Sequence, residues 1–236
     1  MYCCHAQSDY DQGVALFQKG EFAAAAPYLT RAANARPQDA QVWKALGVTY
    51  AAMSQYREAE GPFARACALD SKLEDACYYH ARALYALDRF EDSLRALEAA
   101  PRTWKVRLAA GQAMEALSRP EAESEIRAAL SLAKNTDPRP GVALGLFLLR
   151  HGRVEEARMP LESVIARFPM SAEAHLYLGR ARLELGDVMG AIPELERAVS
   201  LDGSAQAHLL LAKAYVRAGR PEEAKPHFQE AEKRAQ

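Results

Sequence analysis

The feature that most constrains this chain is an internal period. Gly13 and Gly47 lie 34 residues apart, and so do Gly145 and Gly179. A small residue at Ala25, Ala59, Ser93, Ala122, Ala157, Ala191 and Ala224 recurs in steps of 34, 34, 29, 35, 34 and 33 residues. A repeat of this length is one supersecondary unit that cannot bury its apolar face alone, so its copies must stack.

The best-defined copy shows what the unit is. Trp43, Leu46, Gly47 and Tyr50 fall at i, i+3, i+4 and i+7, one apolar stripe on a helix expected over about 40–53. Ser54-Gln55-Tyr56 interrupts the stripe, and a second helix over about 57–69 turns Ala59, Phe63 and Ala66 inward. Small residues at Gly47 and Ala59 let the two helices approach, while Trp43, Tyr50 and Phe63 fill the space beside them; Trp43→Ala should cost about 3 to 5 kcal/mol if that ring is fully buried. Gly20, Gly152, Gly186 and Gly219 follow the first helices of four units, where a C-terminus favours positive φ. Pro37 and Pro169 end second helices. Pro27, Pro62, Pro160, Pro193 and Pro226 sit close to the start of second helices, where they forfeit few backbone bonds.

Trp43, Leu46, Gly47, Tyr50, Ala59 and Phe63 also fit the pattern W-x2-L-G-x2-Y followed by A-x3-F, and by it the chain resembles the tetratricopeptide-repeat family from about Ala6 to its end. The resemblance implies an all-α, right-handed α-solenoid of about seven helix-turn-helix repeats. Residues 1–5 read as a stub, with His5-Ala6-Gln7 resembling the tail of a signal-peptide cleavage site. The step of 29 residues and Pro101 predict a local kink, giving sub-arrays 6–100 and 103–236, with a further loop at Asn135–Pro140.

Composition narrows the function classes. A net charge of −1 and a pI near 6.6 supply no basic field for nucleic acid or anionic lipid. The longest nearly uncharged apolar stretch, Gly141–Leu149, is too short to span a bilayer, so no membrane insertion is expected. Cys3, Cys4, Cys67 and Cys77 lack CxxC spacing and read as reduced thiols, although Cys67 and Cys77 flank one turn and pairing stays open. The compartment is open too: cytoplasmic, or exported and periplasmic if the stub is a signal-peptide remnant. No nucleophile–base pair, phosphate loop or metal-ligand motif stands out, so the chain is expected to be neither an enzyme nor a cofactor binder. His175 and His208 occupy the place of Trp43 in adjacent units and read as half-buried packing residues, since no third ligand accompanies them.

In the family the first helices line a concave surface, and the resemblance implies that repeat positions 2, 5, 9, 12 and 13 face it. Projected from the second-helix spacing, these positions give Tyr10, Phe17, Lys44, Val48, Tyr78, Arg82, Tyr85, Trp104, Arg107 and Met114 in the N-terminal half. The C-terminal half gives Arg139, Val142, Leu146, Leu149, Arg150, Leu176, Arg180, Leu183, Leu209, Lys213, Val216 and Arg217. Neither set is expected in the hairpin core. Cations outnumber Asp75, Glu115, Glu173 and Glu184 on this face, although ordinary i,i+4 pairing on a solvated surface is the plainer reading. The family's two-carboxylate clamp is not matched, because Tyr10, Val14 and Ala45 replace its Lys and Asn residues.

The expected function is a non-catalytic scaffold that binds an acidic and apolar peptide or helical segment of a protein partner. Its rivals are a regulatory or recruiting module of a larger enzyme or secretion machine, and self-assembly through an apolar stripe of Leu146, Leu149, Leu176, Leu183 and Leu209 or through Phe228 on the last helix.

Overall fold

The computed structural model describes residues 2–73 and 75–235, with side groups described from Ser8 onward, so the thiols of Cys3 and Cys4 lie outside the described residues. Among the described residues there are fourteen helices and no strand. They are α1 (Tyr2–Gln18), α2 (Phe22–Ala35), α3 (Ala40–Ala52), α4 (Tyr56–Leu69), α5 (Ala76–Ala86), α6 (Phe90–Glu98) and α7 (Trp104–Ala116). Then follow α8 (Ala122–Ala133), α9 (Arg139–Arg150), α10 (Val154–Arg167), α11 (Ala172–Glu184), α12 (Val188–Leu201), α13 (Ala205–Arg217) and α14 (Pro221–Arg234).

The contacts divide the protein into two compact units, Met1–Ala129 and Leu130–Gln236, each a stack of helical hairpins. In the first, α1 packs on α2, α3 on α4 and α5 on α6, and each second helix packs on the first helix of the next hairpin as far as α7. The second repeats this order from α9 to α14. The loss of residues expected around Pro101 falls on α6, which has 9 residues where α2, α4, α10, α12 and α14 each have 14.

Close approach within each hairpin explains the glycine period. A Cβ on Gly47 would sit 2.6 Å from the Phe63 ring, and one on Gly145 or Gly179 would sit 2.5 Å from Leu161 or Leu195. Phe63, Leu161 and Leu195 are in turn fully buried, so the missing methyl is what lets each second helix seat its largest side chain. Trp43 is only half-buried, with its indole N–H donating to the Pro37 carbonyl at 3.1 Å, and its removal should therefore cost less than a full core deletion.

The turns and caps are just as periodic. Gly20, Gly152, Gly186 and Gly219 hold φ of 79°, 71°, 83° and 75°, while Ser54, Asp88 and Ser118 occupy the same turn at 59°, 57° and 54°. Several first helices open on a capping oxygen: Asp39 accepts from the Gln41 and Val42 amides, and Thr103, Ser171 and Ser204 accept from Val106, Ala174 and Ala207.

The cysteine expectation is corrected. Cys67 at the end of α4 and Cys77 at the start of α5 form a disulfide, with Cα atoms 4.7 Å apart. The turn after Leu69 doubles back tightly enough to bring two residues ten apart within bonding range, a distance that periodicity does not encode.

Candidate partner-binding site

The first helices of the N-terminal unit carry the candidate site. On α1, Tyr10 and Phe17 are half-buried; Phe17 packs against Phe22 at 5.0 Å between ring centroids, and the Arg36 guanidinium lies over the Tyr10 ring. Lys44 and Val48 are half-buried on α3. On α5, exposed Arg82 donates to the Tyr78 hydroxyl at 3.1 Å, and Tyr85 meets Phe90 edge-on at 5.1 Å. Tyr78 itself is buried against Cys77, Ala81 and Val106, so it serves the core as well as orienting Arg82.

At α7 the projection needs correcting by one residue. One residue fewer separates Ser118 from Ala122 than Gly152 from Ala157, so counting back from the second helix misplaces the first. The structural markers agree on the shifted register: Gly111 faces Ile126 as Gly47 faces Phe63, and the Thr103 cap stands where Ser171 and Ser204 stand. Arg107 therefore takes the place of Trp43 and His175, turned toward its own second helix. Its Nη1 donates to both Glu125 carboxylate oxygens at 2.7 and 2.9 Å, as His175 Nδ1 contacts Glu194 Oε2 at 2.7 Å. Met114 and Trp104 move off the projected positions with it. Lys105 takes the place projected for Trp104 and buried Leu108 the place projected for Arg107; the Lys105 ammonium reaches Asp75 Oδ2 at 2.5 Å, a hydrogen-bonded pairing that holds the lysine above the ordinary ammonium range.

In the C-terminal unit the apolar half of the projection is corrected as well. Val142, Leu149, Leu176 and Leu183 are buried, because each first helix is covered by its neighbours to a depth that repeat position alone does not specify. Leu209 is 37% exposed and Leu146 half-buried, so these leucines do not form an exposed stripe. The cations remain nearer the surface. Arg180 pairs with Glu184 at 2.7 Å, Arg139 with Asp137 at 2.8 Å, and Arg217 donates to the Leu183 carbonyl at 3.0 Å, while Arg150 and Lys213 are exposed. Much of the cationic excess is thus held by local partners.

The histidines are packing residues with polar partners. His175 Nε2 also meets the Pro169 carbonyl at 3.1 Å, and His208 Nδ1 faces His227 Nδ1 at 2.9 Å. Burial pushes His208 below the ordinary imidazole range, helped by His227 and Arg234 and opposed by Glu230. Tyr215, which donates to Glu196 Oε1 at 2.5 Å, is pushed up to about 12 by burial and then by that bond. Among the described residues no group of three or more His, Cys, Asp or Glu side chains could hold a metal ion, and no helix is long and apolar enough to cross a membrane.

Comparison with known proteins agrees with this geometry. The tetratricopeptide repeat profile matches residues 10–74, 142–206 and 179–236, and the protein belongs to that family. A tetratricopeptide repeat protein from Parabacteroides merdae superposes with a TM-score of 0.76 at 16% identity, over 98% of this chain and 94% of that one. The APC/C hetero-tetramer Cut9-Hcn1 superposes with a TM-score of 0.75 at 20% identity, over 93% of this chain but only 44% of its counterpart. YrrB, described as a tetratricopeptide protein with an unusual peptide-binding site, gives 0.54 at 19% identity over 79% of this chain and 96% of that one. No curated protein sequence matches.

Proposed function

We propose that this protein is a non-catalytic scaffold whose N-terminal unit binds a partner protein on its first helices, taking an extended or helical segment that carries acidic and apolar residues. The observation that supports it most is the set of Tyr10, Phe17, Lys44, Arg82 and Tyr85, which sit at half-buried or exposed places on α1, α3 and α5. Aromatic and arginine side chains are the usual energetic anchors of an interface, because they bury large area at modest entropy cost and make charge-assisted bonds. Lys44 and Arg82 would supply the charge and the aromatic rings the apolar contact. The peptide-binding site described for YrrB is in keeping with such a ligand.

The test is a comparison of captured partners. Lys44→Glu with Arg82→Glu should remove the proteins that the wild type retains, and retention by the wild type should weaken as salt rises, because exposed charges are screened beyond about 8 Å at physiological ionic strength. Unchanged capture by a double variant with unchanged helical content would move the interface elsewhere.

A further inference from the structure

The shortened helix α6 leaves a space that the regular hairpins fill. Where a 14-residue second helix would run, the backbone ends α6 at Glu98 and turns through Pro101 into α7, and a cavity of about 280 Å³ opens between α6, α7 and the start of α8. Part of its wall is apolar: Leu97 and Val106 are buried, and Leu94 and Met114 are half-buried. This volume is just under the range of small-molecule sites, a size suited to a single side chain and not to a cofactor.

The polar part of the wall is unusual. Arg107 lines the cavity with one guanidinium nitrogen fixed by Glu125, and its Nε is buried with no hydrogen-bond partner. A buried donor left unmade forfeits its hydration without replacement, and an incoming acceptor would recover that loss. Other charges at the rim do not supply that acceptor. Glu125 is taken up by Arg107 Nη1, exposed Glu98 on the lining makes no bond to Arg107 Nε, and Arg119 is paired with Glu91 at 2.7 Å, which leaves exposed Arg102 as a second cation beside the opening.

We propose that this cavity is a binding site for a partner's leucine-like side chain flanked by a carboxylate, from an Asp, a Glu or the partner's own carboxy terminus. The apolar walls take the side chain, and the carboxylate accepts from Arg107 Nε–H, which a turn of the guanidinium uncovers, with Arg102 nearby. The site lies at α6–α8 and is independent of the concave-face reading, so either can fail without the other.

The test uses the full-length protein with N-acetyl-leucine as probe, followed through the Met114 methyl and the Arg107 Nε–H resonances. Both should shift together and saturate, and N-acetyl-leucinamide, which lacks the charge, should need a concentration about tenfold higher. Arg107→Lys keeps a cation but lacks Nε–H and should narrow the difference between acid and amide. Leu94→Trp, which fills the cavity and leaves Arg107 in place, should abolish the Met114 response, so the test stands even where the arginine variant does not fold. No shift at either residue, an undiminished response in Leu94→Trp, or equal binding of acid and amide to the wild type would overturn the proposal. So would an equal Arg107 response to acetate alone without Met114, which would leave only an anion contact.

Discussion

At the scale of single residues, the same repeat position does different work from copy to copy. The place filled by Trp43 in the second hairpin holds Arg107, His175 and His208 elsewhere, and each of the last three meets a polar group on its own second helix. Charge reversal should therefore separate this position from the concave face. Arg107→Glu sets a carboxylate against Glu125 in a pair that is 28% and 20% exposed, and should destabilise the fold by about 2 kcal/mol in denaturant melts. Lys44→Glu should stay within about 0.5 kcal/mol, as surface changes usually do. Equal effects would place Arg107 back on a solvated face. The turn residues give a gain in the other direction. Ser118 holds φ of 54° where four other hairpins use glycine, so Ser118→Gly should raise stability by about 0.5 to 1 kcal/mol, read as a higher melting temperature.

At the scale of helices and turns, most of the structure is legible in the sequence. The helical hairpins, their glycine turns and the buried small residues follow from one period, because close approach of two helices admits only small side chains at Gly47 or Gly179. What the period does not carry is set by turn length and by neighbouring hairpins. The concave register of α7 differs by one from the projection because its turn is one residue shorter, and the Thr103 cap is the signal in the sequence that fixes it. The burial of Val142, Leu149, Leu176 and Leu183 depends on how far adjacent helices cover them, which no repeat position encodes. The Cys67–Cys77 link belongs to the same group. By constraining a loop of roughly ten residues, it should contribute about 2 to 3 kcal/mol, and reduction should lower the melting temperature of the wild type but not of Cys67→Ser. Non-reducing peptide mapping checks the bond itself.

The α13–α14 hairpin adds a pH dependence. His208 binds its proton more weakly when folded than the ordinary value of 6.5, because burial and the nearby His227 and Arg234 disfavour the cation. The unfolded state therefore takes up a proton first as pH falls below about 6.5, and stability drops there. His208→Gln should make the fall of the urea midpoint between pH 7 and 5.5 less steep, leaving the part carried by His80, whose cation burial likewise disfavours. An equally steep profile would show that another group governs it.

At the scale of the whole molecule, a protein of net charge −1 places lysines and arginines along first helices and satisfies many of them with local carboxylates or carbonyls. Lys44 and Arg82, together with Tyr10, Phe17 and Tyr85, are the residues from which the reading as a binding scaffold is built. Hydrogen–deuterium exchange with and without a captured partner tests that reading most directly. Binding on the concave face predicts slowed exchange in α3 and α5, extending to α1, with α2 and α4 unchanged. Protection confined to the second helices α2, α4 and α6 would contradict it.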